Sequence, residues 1–198
     1  MLKEFIDFVH DILPSVSPEL SSSAKLAIEQ FNNDGLDYDF LMKTKLPYLS
    51  QGDIISDIPF IWFDNEGQQQ IFKAKGMIIS TSCHIDQKDN LIIVPIYPIS
   101  SFSGNIGDLK SNKIFDYMYI KDFAMQEYFI DFSTVNTYSK EMIVKGLSTE
   151  NIERILSLSQ IGYYFFIVKL TVYFMREEDS QTLETRLEGQ TIDNHDTL

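Results

Sequence analysis

The stretch KGMIISTSCHIDQKDNLIIVPIYP, residues 75–98, decides the fold. Two dense runs rich in Ile and Val flank a polar segment, and each run has the length of a β-strand. Because almost every position in both runs is apolar, the two strands are expected to be buried on both faces or to lie at the centre of a barrel. The segment DQKDN, residues 86–90, is predicted to be the loop of a hairpin.

Further strands are predicted on both sides of this hairpin. Residues 52–63, GDIISDIPFIWF, form the first, and Pro59 within it indicates an edge or a bulge. Alternation along this strand predicts that Asp53 and Asp57 face solvent. The remaining predicted strands extend over 70–83, 91–99, 116–123 and 127–135, and a Gly/Ser/Asn-rich loop separates the middle pair at 101–112.

The chain is expected to divide into three parts. Residues 1–50 are predicted to be a mainly helical N-terminal extension, because apolar residues recur there at helical spacing. Residues 51–176 are predicted to be a β-domain with C-terminal helices, and residues 177–198 an acidic, disordered tail.

The end of the β-domain is open to two interpretations. Ser148 and Thr149, followed by Glu150, have the residue types of a helix N-cap and first turn. Residues 150–176 are then either one long helix, or a helix that ends at Gly162 and is followed by a strand.

Charge narrows the classes of function. The net charge is −13, and the tail at 177–198, with seven acidic residues and one arginine, gives −6 of it and leaves −7 for the rest. Proteins that bind phosphate backbones usually carry a basic face. The lysines here occur only as local pairs, so the charge argues against nucleic acid without excluding a local basic groove.

Cysteine content and hydropathy predict a cytoplasmic protein. Cys83 is the single cysteine and cannot form an internal disulfide, which favours a reducing compartment. The first residues lack the basic region and cleavage site of a signal peptide. No uncharged apolar run reaches about 18 residues, the length that a membrane span needs, and Lys169 interrupts the nearest approach at 162–175.

Three segments, in this order, resemble the MazF/PemK toxin family. QGDIISDI opens a strand, KGMIISTSCHID…NLIIVPIYP forms a strand–loop–strand pair, and STVNTYSKEMI leads from a strand into a helix. The resemblance covers roughly residues 51–175. It implies a small SH3-like β-barrel with a C-terminal helix, a homodimer, and endoribonuclease activity without a metal.

The resemblance also implies where catalytic groups lie. The family's arginine before the second strand corresponds to Lys75, and its threonine at the end of the third strand to Tyr97, or to Ser100 if the register slips. A further arginine position falls on Asn136. Lysine supplies charge but lacks arginine's bidentate fork. Every arginine that the family pattern expects is therefore missing.

Three lysines and the strand aromatics offer a second kind of site. Lys73 and Lys121, with Lys75, are candidate RNA-binding residues beside aromatics on which bases could stack. Burial of these aromatics in a core or at a dimer face is the more common arrangement. The apolar cluster YYFF, residues 163–166, indicates a subunit or partner interface.

The polar segment SCHID offers a third candidate. Cys83 and His84 could act as nucleophile and base, but neighbours on a strand point to opposite faces, so a buried or turn role is favoured. With Asp86 they could ligate a metal only if distant residues joined them, so no metal or cofactor is expected. The hydroxyls of Ser80, Thr81 and Ser82 are expected to bond to backbone groups at the strand end.

Together these features predict a divergent MazF/PemK-like protein. A non-catalytic interaction module of a bacterial toxin–antitoxin or phage-defence system, with a protein partner or a second copy bound, is the first hypothesis. The alternatives are an endoribonuclease that uses Lys75 and Tyr97, and a hydrolase that uses Cys83 or a neighbouring serine.

Overall fold

The computed structural model describes residues 39–122, 126–174 and 179–192. These residues form one seven-stranded antiparallel sheet and five α-helices, which confirms the predicted α+β class. The strands are β1 (Ile54–Phe63), β2 (Gln69–Ile78), β3 (Asn90–Pro98), β4 (Tyr117–Lys121), β5 (Glu127–Asp131), β6 (Asn136–Ser139) and β7 (Arg154–Leu156). The helices are α1 (Ser82–Gln87), α2 (Ile106–Lys110), α3 (Lys140–Ser148), α4 (Gln160–Phe174) and α5 (Ser180–Ile192).

Strand β3 organises the sheet. It pairs with β2 along one edge, and along the other with β6 from Asn90 to Ile93 and with β5 from Ile96 to Pro98. The order is β4-β5-β3-β2-β1-β7, with β6 attached to β3. Since the terminal strands β4 and β7 do not pair with each other, the sheet is not closed, and the expected SH3-like barrel is not confirmed.

Strand β6 reaches β1 through side chains instead of a backbone ladder. The amide of Asn136 accepts from the N–H of Ile61 at 2.8 Å and donates to its carbonyl at 3.2 Å. The hydroxyl of Tyr138 donates to the carbonyl of Pro59 at 3.1 Å. These three bonds satisfy backbone groups on the free edge of β1, which would otherwise be open to another chain.

The central strands are buried on both faces, as the sequence predicts. Alternate side chains enter two separate apolar clusters, because successive residues of a strand point to opposite faces. Met77, Val94 and Ile96 enter the first cluster, which packs under α4. Ile78, Leu91 and Ile93 enter the second, together with residues from α1 and α3.

The bulge expected near Pro59 is present. The register between β1 and β2 shifts between Ile55 and Ile58, and Asp57 has a φ of 56°. Asp57 is exposed, as predicted, but Asp53 is fully buried, so the prediction that Asp53 faces solvent is wrong.

Neither interpretation of residues 150–176 is correct. Ser148 ends α3, Glu150 has a φ of 58°, and the short strand β7 precedes α4. Helix α4 begins after Ser159, whose hydroxyl accepts from the N–H of Gly162 at 3.1 Å. The helix lies so close to Phe40 that a Cβ at Gly162 would be 2.0 Å from the Phe40 carbonyl oxygen. This close approach requires glycine.

Two segments expected to be irregular contain helices. Asn105 caps α2 within the predicted loop at 101–112, since its side chain accepts from Gly107 and Asp108. Asp179 accepts from the N–H of Thr182 and begins α5 within the predicted tail. In the expected N-terminal extension, residues 1–38 lie outside the described residues, and residues 39–50 contain no helix.

Candidate functional site

Lys75 lies on β2 and faces the first apolar cluster. Its Cα partner across the sheet is Ile96, and partners directly opposite each other point to the same face. The ammonium donates to the Tyr128 hydroxyl at 2.9 Å and lies 4.1 Å from the centre of that ring. Lys75 is therefore half-buried and held by an aromatic side chain.

Tyr97 points to the opposite face of the sheet. It follows Ile96 on β3, and its ring packs against Phe72 at 5.7 Å and Phe129 at 5.4 Å between centroids. Burial raises the pKa of Tyr97 to about 12, and the charge of Asp131 contributes to the rise. A phenol with so high a pKa is a poor proton-transfer group near neutral pH.

The structure therefore does not bring Lys75 and Tyr97 into one site. The remaining residues assigned through the resemblance and the lysine pairs are also dispersed. Lys73 is exposed on β2, Lys121 is exposed at the end of β4, and the amide of Asn136 is bonded to the backbone of β1. Ser100 is exposed in a 3-10 turn after β3.

The strand aromatics mostly belong to the core, as the more common arrangement predicts. Phe132 is fully buried, and Tyr119, Phe129 and Tyr138 are nearly so. Burial raises the pKa of Tyr119, and so does the neighbouring Glu127. The Glu127 carboxylate accepts from the Tyr119 hydroxyl at 2.5 Å. These rings are not available for stacking on nucleic-acid bases.

The SCHID segment forms helix α1 instead of a hairpin loop. The Thr81 hydroxyl accepts from the N–H of His84 at 3.3 Å and caps the helix, while Ile85 anchors it in the second apolar cluster. Cys83, His84 and Asp86 are exposed, so of the two roles expected for the cysteine, buried or in the turn between the strands, the buried one is excluded. Adjacent residues on a helix do not face each other, which separates Cys83 from His84.

The hydroxyls before and within α1 bond to backbone groups, as predicted. Ser80 accepts from the N–H of Ile92 at 2.8 Å, and Ser82 from the N–H of Gln51 at 3.2 Å. Because these serines hold the connection between β2 and β3, they are structural residues.

Asp53 forms a buried polar network that the sequence analysis missed. Its carboxylate accepts from the Ser157 hydroxyl at 2.6 Å, from the N–H of Ser50 at 2.9 Å and from the Arg154 guanidinium at 3.4 Å. Burial raises the pKa of Asp53, and these three groups oppose the rise. Arg154 also donates to the carbonyls of Leu46 and Tyr48. The network fastens residues 46–50 to β1 and β7.

The end of the β1–β2 hairpin is apolar and exposed. Ile61 and Ile71 are Cα partners. Ile61 is 43% exposed, Ile71 is 63% exposed and Phe63 is 67% exposed. Alternation places these three side chains on one face and Trp62, 48% exposed, on the other. We call the face formed by Ile61, Phe63 and Ile71 the hairpin face.

The hairpin face adjoins a free strand edge. Strand β2 pairs with β3 only from Lys75 to Ile78, so its edge from Gln69 to Lys73 has no ladder partner among the described residues. An exposed apolar strand with an unpaired edge is a site where another chain can add a strand.

Two further searches concern only the described ranges. Among those residues, no three His, Cys, Asp or Glu side chains come together in a way that could hold a metal ion. None of the helices described there has the length and apolar character needed to cross a membrane.

Comparison with known proteins adds no relative. A scan of the sequence against protein-family models found no match, and neither did a search of curated proteins. The likeness to the MazF/PemK family rests on the three sequence segments alone and stays a prediction.

Proposed function

We propose that this protein is a non-catalytic interaction module that binds a partner protein at the hairpin face. The observation that carries this proposal is the exposure of Ile61, Phe63 and Ile71 beside the unpaired edge of β2. Clustered apolar side chains are costly to expose on a soluble surface, and they commonly mark interaction sites.

The partner's chemistry follows from the geometry and charge of the hairpin. The free edge of β2 can pair with an extended segment, whose apolar side chains would pack on the hairpin face. The turn of the hairpin carries Asp64 and Glu66, and the whole chain has a net charge of −13. An extended apolar segment flanked by basic residues is therefore the occupant that fits best.

The resemblance to MazF/PemK toxins supplies the biological setting of the proposal. That setting is a bacterial toxin–antitoxin or phage-defence system, in which the partner is encoded beside this chain. The ribonuclease alternative gains no support, since Lys75 and Tyr97 face opposite sides of the sheet. The hydrolase alternative gains none either, because Cys83 and His84 are exposed neighbours on a short helix.

The test is co-expression of the chain with each protein encoded next to its gene, followed by calorimetric measurement of Kd for any complex. The double substitution Phe63→Ser and Ile71→Ser removes most of the hairpin face. Met142→Ser with Val144→Ser is the matched control, because these residues are 40% and 51% exposed on α3. We expect the hairpin variant to weaken binding by at least about tenfold and the control to leave it unchanged.

Two results would contradict the proposal. One is a complex whose Kd is the same for wild type, hairpin variant and control. The other is a chain that stays a monomer and binds none of the neighbouring gene products. RNA cleavage that is lost in both Lys75→Ala and Tyr97→Phe would instead establish the ribonuclease alternative.

A further inference from the structure

Lys169 is a buried cation on α4. Its side chain is only 8% exposed, and its ammonium donates to the main-chain carbonyls of Asn112, at 3.1 Å, and Ile114, at 2.5 Å. These bonds fasten the segment before β4 to α4. A lysine ammonium has three N–H groups, and carbonyls among the described residues accept from two of them.

In the described part of the chain, no carboxylate lies within ion-pairing distance of Lys169, and Asp116 acts on it only from farther away. The ion pairs there involve Lys45 with Glu153, Lys110 with Glu127 and Arg154 with Asp53. Burial lowers the pKa of Lys169 to about 8, and only the charge of Asp116 opposes this. Buried charges in proteins are normally paired, because an unpaired charge loses its hydration without compensation.

A second unsatisfied donor lies beside the lysine. The side-chain nitrogen of Asn112 is buried and has no hydrogen-bond partner in the part of the chain that the structure describes. The oxygen of the same amide accepts from the N–H of Tyr119 at 2.7 Å, which fixes the orientation of the side chain. A buried donor without a partner costs about 1–3 kcal/mol, so its retention requires an explanation.

Both residues line a cavity of about 230 Å³. The rest of its described lining is mainly apolar and consists of Ser111, Lys113, Phe115, Phe165, Val168 and Val172. The cavity is smaller than the usual site for a drug-sized molecule, about 300–1,000 Å³. It therefore has room for a single ring or a short branched chain.

We propose that this cavity binds a small organic carboxylate, whose anionic head is held by the Lys169 ammonium and the Asn112 amide nitrogen. The carboxylate offers two acceptor oxygens to two donors and supplies the close ion-pair partner that Lys169 lacks among the described residues. The apolar body of the ligand packs among Phe115, Phe165 and the two valines. This site lies on α4 and is independent of the hairpin face.

Benzoate is the first probe, because it combines one ring with one carboxylate. Benzyl alcohol, a neutral ring of similar size, and inorganic phosphate, an anion without an apolar body, are the comparison ligands. The full chain is titrated with benzoate, and binding is measured by calorimetry and by the NMR shifts of Asn112. We expect saturable binding with a Kd on the order of 1 mM or tighter. Neither comparison ligand should reach half-saturation at the benzoate Kd.

Three substitutions locate the site. Lys169→Met removes the cation and should weaken benzoate binding by at least about tenfold. Asn112→Asp keeps the oxygen that bonds to Tyr119 but supplies a carboxylate to Lys169, so it should also weaken binding while preserving the fold. Lys88→Met, which removes an exposed lysine outside the cavity lining, is the matched control and should change Kd by less than about twofold.

Val172→Phe fills the cavity and leaves both donors in place, so it tests the site even if Lys169→Met does not fold. Loss of benzoate binding in Val172→Phe supports the proposal. The proposal is overturned if benzoate does not saturate, if benzyl alcohol or phosphate binds equally well, or if Asn112→Asp and Val172→Phe weaken binding no more than Lys88→Met does.

Discussion

Asp53 and Lys169 are both buried charged side chains, but only Asp53 is surrounded by partners that compensate for its charge. The carboxylate accepts from a hydroxyl, a backbone N–H and a guanidinium. The ammonium of Lys169 meets two neutral carbonyls, and an unsatisfied amide donor lies next to it.

The difference indicates two kinds of role. Around Asp53, the partners come from Ser50 just before β1 and from Arg154 and Ser157 at β7, so the network stabilises the junction of β1, β7 and residues 46–50. Around Lys169, the ammonium and the unsatisfied Asn112 amide nitrogen belong to residues that line a cavity. A structural role alone accounts for the first arrangement, whereas the second has room for the carboxylate ligand that we propose.

The largest expected effect comes from breaking the Asp53 network. Arg154→Met leaves Asp53 buried without its cation and frees the carbonyls of Leu46 and Tyr48. We expect a loss of about 3 kcal/mol in the free energy of unfolding, measured by urea denaturation. Lys45→Met, which removes the exposed pair with Glu153, is the control and should change stability by less than about 1 kcal/mol. Equal effects of the two substitutions would contradict the stabilising role of the buried Asp53 network.

Removing Lys169 should change the free energy of unfolding much less than Arg154→Met does. Lys169→Met loses two hydrogen bonds to carbonyls but also removes an uncompensated buried charge. These effects oppose each other, so the free energy of unfolding should change by no more than about 1 kcal/mol in either direction. A loss as large as that of Arg154→Met would mean that Lys169 is chiefly structural.

The pH dependence of stability should differ between the wild type and Lys169→Met. The pKa of Lys169 is about 8 in the folded chain and 10.5 ordinarily, so between these values the unfolded chain binds more protons. Stability contributed by this group therefore rises with pH from about 8 toward 10.5. Urea denaturation across this range should show the wild type gaining stability relative to Lys169→Met. A constant difference would contradict the lowered pKa.

The smallest effect on stability is expected at the hairpin face. Phe63→Ser and Ile71→Ser each remove an exposed side chain, so each should change the free energy of unfolding by less than about 0.5 kcal/mol. Thermal or urea denaturation of the single variants checks this. A loss of several kcal/mol would show that these residues are covered within the folded chain instead of being available to a partner.

Sequence patterns predicted the parts of the fold that depend on local periodicity. The Ile/Val runs gave the central strands and their burial on both faces, and Pro59 indicated the bulge in β1. The SCHID helix was missed because its start depends on one hydroxyl, that of Thr81. The open sheet was missed because closure depends on which distant strands pair.

The buried polar sites were harder to predict. In the alternating sequence pattern, Asp53 occupies a position that is typical of a solvent-facing residue. Only its contacts with Ser157 and Arg154, about a hundred residues away, show that it is buried. Lys169 was visible as a charge within an apolar run, GYYFFIVKLTVYFM. Its lack of a counterion could not be predicted, because it depends on the packing of α4 against residues 112–114.

NMR titration of the Lys169 side chain with and without benzoate is the sharpest test of whether this buried ammonium is available to a carboxylate. We expect a pKa of about 8 for the free chain and a clear rise when benzoate is saturating, since an adjacent negative charge favours the ammonium. A pKa at the ordinary 10.5 in the free chain, or one that benzoate leaves unchanged, would contradict it.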